Sequence, residues 1–375
     1  MSEPIHPLFV PQRLLLGPGP SQVHPRVLQA MSTPLVGHLD PVFLHIMDEV
    51  SGMLRQVFRT GNRLTLPISG TGSAGMEAAI ANMVEPGDPV IVGVNGVFGQ
   101  RLAETVRRCG GEAVEVSAEW GQPLNPSEVR QALSSVTRPK ALVVVHAETS
   151  TGVLQPLEEL SQMAHSWGAL FIADTVTSLG GTPVEVDRWE IDVAYSGTQK
   201  CLSCPPGLAP ITLSDRAVEA LHARRAKVQS WYLDLSMIER YWGEERVYHH
   251  TAPISMCYAI HEALRLVLEE GLEARWARHR AMSDLLLGGL ESLGVLPLPD
   301  EGYRLPMLNA VRVPEGVNEA AVRSTLLNEF GIEIGAGLGP LKGKVWRIGL
   351  MGESATRASV VRLLDGLMQA MAGVD

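Results

Sequence analysis

Apolar residues along the middle of the chain fall into short, nearly unbroken runs. Asp88 to Val94 (DPVIVGV), Glu112 to Ser117, Ala141 to His146 (ALVVVH), Ala169 to Ala173 (ALFIA) and Ile191 to Tyr195 (IDVAY) read as strands. Between them, Gly99 to Arg108 and Gln155 to Trp167 carry apolar positions at helical spacing. Strands this apolar have both faces covered, so strands alternating with helices predict an α/β fold with a mostly parallel sheet under helices. In such sheets, ligands gather at the carboxyl ends of the strands.

From about Pro253 the pattern changes. Ile254 to Glu269 and Glu273 to Leu293 read as long helices, followed by short strands near Asn309 to Val313 and Val345 to Gly349. The expected organisation is an extended arm over 1–20, with prolines at 4, 7, 11, 18 and 20, a large domain over 21–252 and a smaller α+β domain over 253–375. The arm is expected to pack on something else, such as another subunit.

Composition narrows the function classes. The chain has 375 residues, 45% of them hydrophobic, enough for sizeable cores. A formal charge of −10 disfavours a phosphate-backbone binder, so nucleic acid is not an expected partner. With no apolar run of membrane length and no cationic leader, the expectation is a cytoplasmic protein that does not span a membrane. Four cysteines (Cys109, Cys201, Cys204, Cys257) are too few for a disulfide scaffold. The C-x-x-C pair Cys201/Cys204 lacks a second ligand pair and opens no thioredoxin-like helix, so it reads as packing. His249-His250 is adjacent rather than spaced i, i+4, and no metal site is expected.

Five lysines stand against 26 arginines, so a lysine in an apolar setting is conspicuous. Lys200 sits at the end of the strand-like run AYSGTQK. A lysine that forms an imine needs surroundings that favour the neutral amine. Three more features join it. SGTGSAGMEAAIANMV (Ser69 to Val84) is a small-residue loop opening a helix, a geometry that accepts phosphate on backbone N–H groups, with Thr71 and Ser73 adding hydroxyls. Asp174 follows the strand ALFIA, where a carboxylate needs a cationic or donating partner such as a protonated pyridine nitrogen. Arg347 lies inside the run VWRIGLMG, with a fork suited to a substrate carboxylate. Singly these also fit turn chemistry, a helix cap, a lysine reaching solvent and a surface arginine. Together they are the parts of a pyridoxal-phosphate enzyme acting on amino acids.

At this point the chain resembles the class V (fold-type I) aminotransferases, in particular the alanine–glyoxylate and serine–pyruvate group. The matching segments run in order from about residue 14 to 357: GPGPSQVHPRVLQAM, VGHLD, SGTGSAGMEAAIANMVEPGD, VNGVFGQR, HAETSTGVLQPL, ADTVTSLGG, YSGTQKCLSCPPG, YHHTAPIS and GLGPLKGKVWRIGLMG. The resemblance implies pyridoxal 5′-phosphate as cofactor, a seven-stranded large domain, and ping-pong transfer from alanine or serine to glyoxylate or pyruvate. It implies that Lys200 binds the cofactor covalently, that Asp174 pairs with the ring nitrogen and that Val176 packs on one ring face. Thr71, Gly72, Ser73 and Gln199 hold the phosphate, and Thr149 approaches the phenolic oxygen. Phe98 stands where other members carry a stacking tryptophan, and offers less area. Arg347, helped by Ser178, binds the substrate carboxylate. Tyr248 and Thr251 reach the phosphate of a neighbouring subunit, implying a homodimer with composite sites. Two rival readings are a cysteine desulfurase-like lyase and a non-catalytic cofactor-binding sensor. Gln199 in place of a histidine before the lysine, and an intact catalytic set, argue against them.

Overall fold

A computed structural model describes residues 6–373, which leaves Pro4 of the arm outside the described residues. Seven strands form the main sheet: β1 Leu64–Ser69, β2 Pro89–Val94, β3 Glu112–Ser117, β4 Ala141–Val145, β5 Leu170–Asp174, β6 Val193–Tyr195 and β7 Leu208–Leu213. Their order is β1-β7-β6-β5-β4-β2-β3. The neighbours from β6 to β3 pair in parallel, whereas β7 runs antiparallel to both β1 and β6. The mostly parallel α/β sheet expected from the apolar runs is therefore present, with one reversed strand. The helices α1 Gly72–Met83 and α2 Val97–Arg108 follow β1 and β2 directly, so both begin at the carboxyl edge of the sheet.

The strand register decides what meets at that edge. Val145 pairs with Asp174, and Asp174 with Tyr195, which sets one row across β4, β5 and β6. The interior strands are sealed from water along most of their length: every residue of β4 and β5 is buried. At roughly 25 cal/mol per Å² of apolar surface, that sealing supplies the rigidity on which a site at the strand ends depends.

The C-terminal part carries α3 Ile254–Glu270, α4 Leu272–Ser292 and a three-stranded antiparallel sheet of β8 Leu308–Arg312, β9 Gly335–Ala336 and β10 Val345–Gly349, in the order β8-β10-β9. Past residue 252 the chain first stays with the large core. Cys257, Ile260, Leu264 and Val267 of α3 bury into the large core, and the second core begins with Leu286 and Leu290 of α4, packed with Trp346, Ile348 and Leu363. An apolar stripe on a helix has the same spacing whichever core receives it, so periodicity cannot assign it. The arm splits in a similar way. Leu8, Phe9 and Val10 are 92%, 86% and 70% exposed, whereas Leu14 and Leu15 pair in parallel with Ile332 and Glu333, and Leu16 enters the second core.

Two arginines of α4 tie the cores together. Arg275, 2% exposed, donates to the Cys201 carbonyl at 2.7 Å and pairs with Glu270. Arg278 donates to the carbonyls of Gly352 and Ala355 at 2.8 and 2.9 Å and to the same Glu270 carboxylate. Two guanidinium groups hold that carboxyl at about 2, below the ordinary range, although burial opposes them.

Candidate active site at the strand ends

A cavity of about 110 Å³ opens at the carboxyl edge of the sheet. Asp174 forms its floor. It is 3% exposed; Oδ1 accepts the Val176 N–H at 2.9 Å and Oδ2 accepts the Tyr195 hydroxyl at 2.8 Å. Burial pushes this carboxyl up to about 6, and the Val176 and Tyr195 hydrogen bonds with the charges of Lys200 and Arg101 oppose that rise. No cation forms an ion pair with Asp174 among the described residues.

Lys200 reaches the cavity from the loop after β6, and its Nζ donates to the Pro18 carbonyl of the arm. Burial, with the charges of Arg347 and Arg101, lowers its ammonium to about 8 against the opposing pull of Cys201 and Asp174. The GPGP segment is shaped to this side chain. A Cβ on Gly19 would stand 2.7 Å from Nζ, and the φ of +106° at Gly19 is itself one that side chains disfavour.

At the other end, Thr71, Gly72 and Ser73 open α1 onto the cavity. Thr71 makes no side-chain cap, and the first N–H groups of a helix have no partner within it, so this end favours an anion. A Cβ on Gly72 would press the Val176 methyls at 3.2 and 3.3 Å, so the two residues pack closely here. Gln199 lines the same end with a buried Oε1 that has no hydrogen-bond partner.

Phe98 and Thr149 complete the sequence-expected lining. Arg347 lies behind Thr149: Nη1 donates to the Thr149 carbonyl at 3.4 Å and Nε to the Ala336 carbonyl at 2.6 Å. Burial lowers its guanidinium to about 10, partly offset by Glu148, and no carboxylate pairs with it among the described residues. Ser178 lies off the cavity wall, its buried hydroxyl without a partner. Tyr248, 55% exposed, and Thr251, also exposed, do not line the cavity; the Tyr248 ring rests 5.0 Å from His38.

Several residues had no signal of their own in the sequence. Arg101 lines the cavity with its guanidinium 5.0 Å over the Phe98 ring, and Met76, Val145, Ala147 and Thr177 complete the wall. Arg101 follows Phe98 by one helical turn, and that spacing is the clue that would have found it. Tyr195 reads as one more apolar strand residue until the register sets it beside Asp174. No cysteine lines the cavity. Burial holds the Cys201 thiol up at about 12 and raises Cys204 as well, so neither is poised as a thiolate. No group of metal-binding side chains occurs among the described residues.

These features fit pyridoxal phosphate in their order. A donor-rich helix end suits the phosphate, a buried carboxylate without a cation suits a protonated ring nitrogen, and a lysine with a lowered ammonium lies between them. Comparison with known proteins agrees. The family model of class-V aminotransferases matches residues 13–363. The solved alanine–glyoxylate aminotransferase of Nostoc sp. is 52% identical, covers 98% of this chain and 97% of its own, and superposes with a TM-score of 0.96. The (S)-ureidoglycine–glyoxylate transaminase of Bacillus subtilis is 42% identical over 96% of this chain and 91% of its own length. The alanine–glyoxylate aminotransferase of Felis catus is 42% identical over 98% of this chain and 89% of its own. The chain belongs to the class-V aminotransferases and is a pyridoxal-phosphate-dependent aminotransferase of fold-type I.

Proposed function

We propose that this enzyme transfers the amino group of alanine or serine to glyoxylate or pyruvate in a ping-pong cycle. The observation that carries the reading is Arg347, a buried guanidinium without a carboxylate partner among the described residues, close enough to depress the Lys200 ammonium. It supplies the anchor that a 2-amino or 2-oxo acid needs. The relatives named alanine–glyoxylate aminotransferases, 52% and 42% identical, support a donor with a small side chain.

When bound, the cofactor supplies a sink for the electrons left as the donor's Cα–H bond breaks. Lys200 would hold it through Nζ, and a free Nζ at this position would serve as the base that takes the donor's Cα proton. An ammonium already lowered to about 8 gives up its own proton at little cost near neutral pH. Asp174, ionised, would pair with a protonated ring nitrogen, and Tyr195 steadies that carboxylate. Thr71, Gly72, Ser73 and Gln199 would hold the phosphate, Thr149 would meet the phenolic oxygen, and Phe98 and Val176 would pack against the ring. Arg347, with Ser178, would hold the substrate carboxylate, so that binding energy selects which Cα bond breaks.

Tyr248 and Thr251 face solvent in one chain, which suits a homodimer in which each reaches the partner's phosphate. The four free thiols suit the reducing cytoplasm. A cavity without a cysteine favours transamination over sulfur abstraction from cysteine.

The test is a matrix of donors and acceptors, following the cofactor absorbance in each half-reaction. Alanine or serine with glyoxylate or pyruvate should give the highest kcat/KM. Faster turnover of ureidoglycine, or sulfide release from cysteine, would replace this assignment.

A further inference from the structure

Helix α2, which carries Phe98, has no cap of its own: its N-cap is Gly96. Its first N–H groups are taken instead by side chains of the hairpin that follows β4. The Val97 N–H donates to Ser150 Oγ at 2.9 Å, and those of Phe98 and Gly99 to Glu148 Oε2 at 3.1 and 3.2 Å. Oε1 of the same carboxylate accepts the Ser150 N–H at 3.1 Å and the Ser150 hydroxyl. Glu148 is fully buried, and Gly96 makes room for it, since a Cβ there would stand 2.4 Å from Glu148 Cδ.

A serine or aspartate at position 96 would cap α2 without the cost of burying a carboxylate from elsewhere. That cost is visible: burial pushes the Glu148 carboxyl up to about 7, against the donors from Ser150 and Gly99. The arrangement achieves something a local cap does not. It fixes the first turn of α2 to the hairpin that presents Thr149 to the cavity and whose backbone receives Arg347.

We propose that Glu148 is a positioning residue for Phe98, setting the height of its ring over the cofactor by fixing the turn that carries it to the Thr149 hairpin. This rests on the reading of Phe98 as the residue that covers one ring face.

The experiment compares Phe98→Ala, Glu148→Ala, their double variant and Glu148→Gln. It reads the cofactor dissociation constant, the circular dichroism of the bound cofactor band, and amide hydrogen exchange over 97–100 in the holoenzyme and after cofactor removal. Phe98→Ala should weaken cofactor binding by about tenfold, the scale of one lost aromatic stack. Glu148→Ala should weaken it similarly, diminish the dichroism and speed exchange at Phe98 and Gly99 at least about tenfold, the scale of one lost buried hydrogen bond. The double variant should bind no more weakly than Phe98→Ala alone. Glu148→Gln retains an acceptor oxygen for those two amides and should recover most of the dichroism.

Wild-type affinity and dichroism in Glu148→Ala, or a loss that adds in full to that of Phe98→Ala, would overturn the proposal. If Phe98→Ala itself leaves affinity unchanged, the stacking role of Phe98 fails, and exchange at 97–100 alone decides whether Glu148 holds the turn. Should Glu148→Ala not fold, Glu148→Asp takes its place. Its shorter reach should give the same effects at smaller size, and unchanged exchange and affinity would count against the assignment.

Discussion

Replacing Tyr195 with phenylalanine removes one oxygen and leaves the buried ring in place. That oxygen donates one of the two hydrogen bonds the Asp174 carboxylate receives, at 2.8 Å. A hydrogen bond to a charged group is worth about 1.5–3 kcal/mol, so its loss should raise the Asp174 carboxyl by about one to two pH units. The direction follows because the hydroxyl stabilises the ionised form. With the carboxyl at about 6 in the parent, most of it is ionised at pH 7. In the cofactor-free protein the ionised fraction at that pH then falls about two- to tenfold. A protonated ring nitrogen beside the carboxylate would lower the value in both proteins, so the displacement of the acidic limb of the pH–rate profile is the quantity to measure.

The cofactor-free protein offers a second reading. Between about pH 4 and pH 6 the folded Asp174 keeps a proton that the unfolded chain has released, so stability falls as pH rises through that window and is lowest above it. In Tyr195→Phe the fall should continue for a further one to two pH units, roughly the same interval as in the rate profile. Glu148 titrates nearby in both proteins, so the difference between the two unfolding curves isolates Asp174. An acidic limb and a stability curve both superposable on the parent would refute the claim that Tyr195 tunes this carboxylate.

Lys200→Ala should abolish turnover and the absorbance of the covalently held cofactor while binding free cofactor; full turnover would end the mechanistic account. Arg347→Ala should raise the KM for alanine about 100-fold, the scale of a lost charge-assisted pair, with far less effect on cofactor affinity. Stopped-flow measurement of the alanine half-reaction separates the two effects. Mixing Lys200→Ala subunits with Tyr248→Ala subunits should restore about a quarter of wild-type activity, because half the dimers then hold one intact composite site. Activity that stays at the level of the separate variants would argue that each site is built from one chain.

The strands that set the site were legible because their apolar runs are uninterrupted: β2, β3, β4, β5 and β6 lie within a residue or two of their expected bounds. β1 and β7 were not legible. Each carries an interior proline, Pro67 and Pro210, and a proline argues against a strand in any single-sequence reading. In the sheet these two residues are direct partners, a relation that no local pattern contains. The same limit explains Tyr195 and Glu148, whose roles depend on strand register and on a hairpin folding back over a helix end. Lys200 and Asp174 drew notice because a charge at the end of an apolar strand needs a reason, and both line the cavity.

The bond from Arg275 to the Cys201 carbonyl joins the loop of Lys200 to a helix whose far end belongs to the other core. If α4 loosens, the loop loses a buried donor at the residue next to Lys200, and Glu270 loses a counter-charge. The two halves are therefore not expected to melt independently: damage to the C-terminal sheet should reach Lys200 as well as Arg347, and truncation should cost cofactor retention before the large core comes apart.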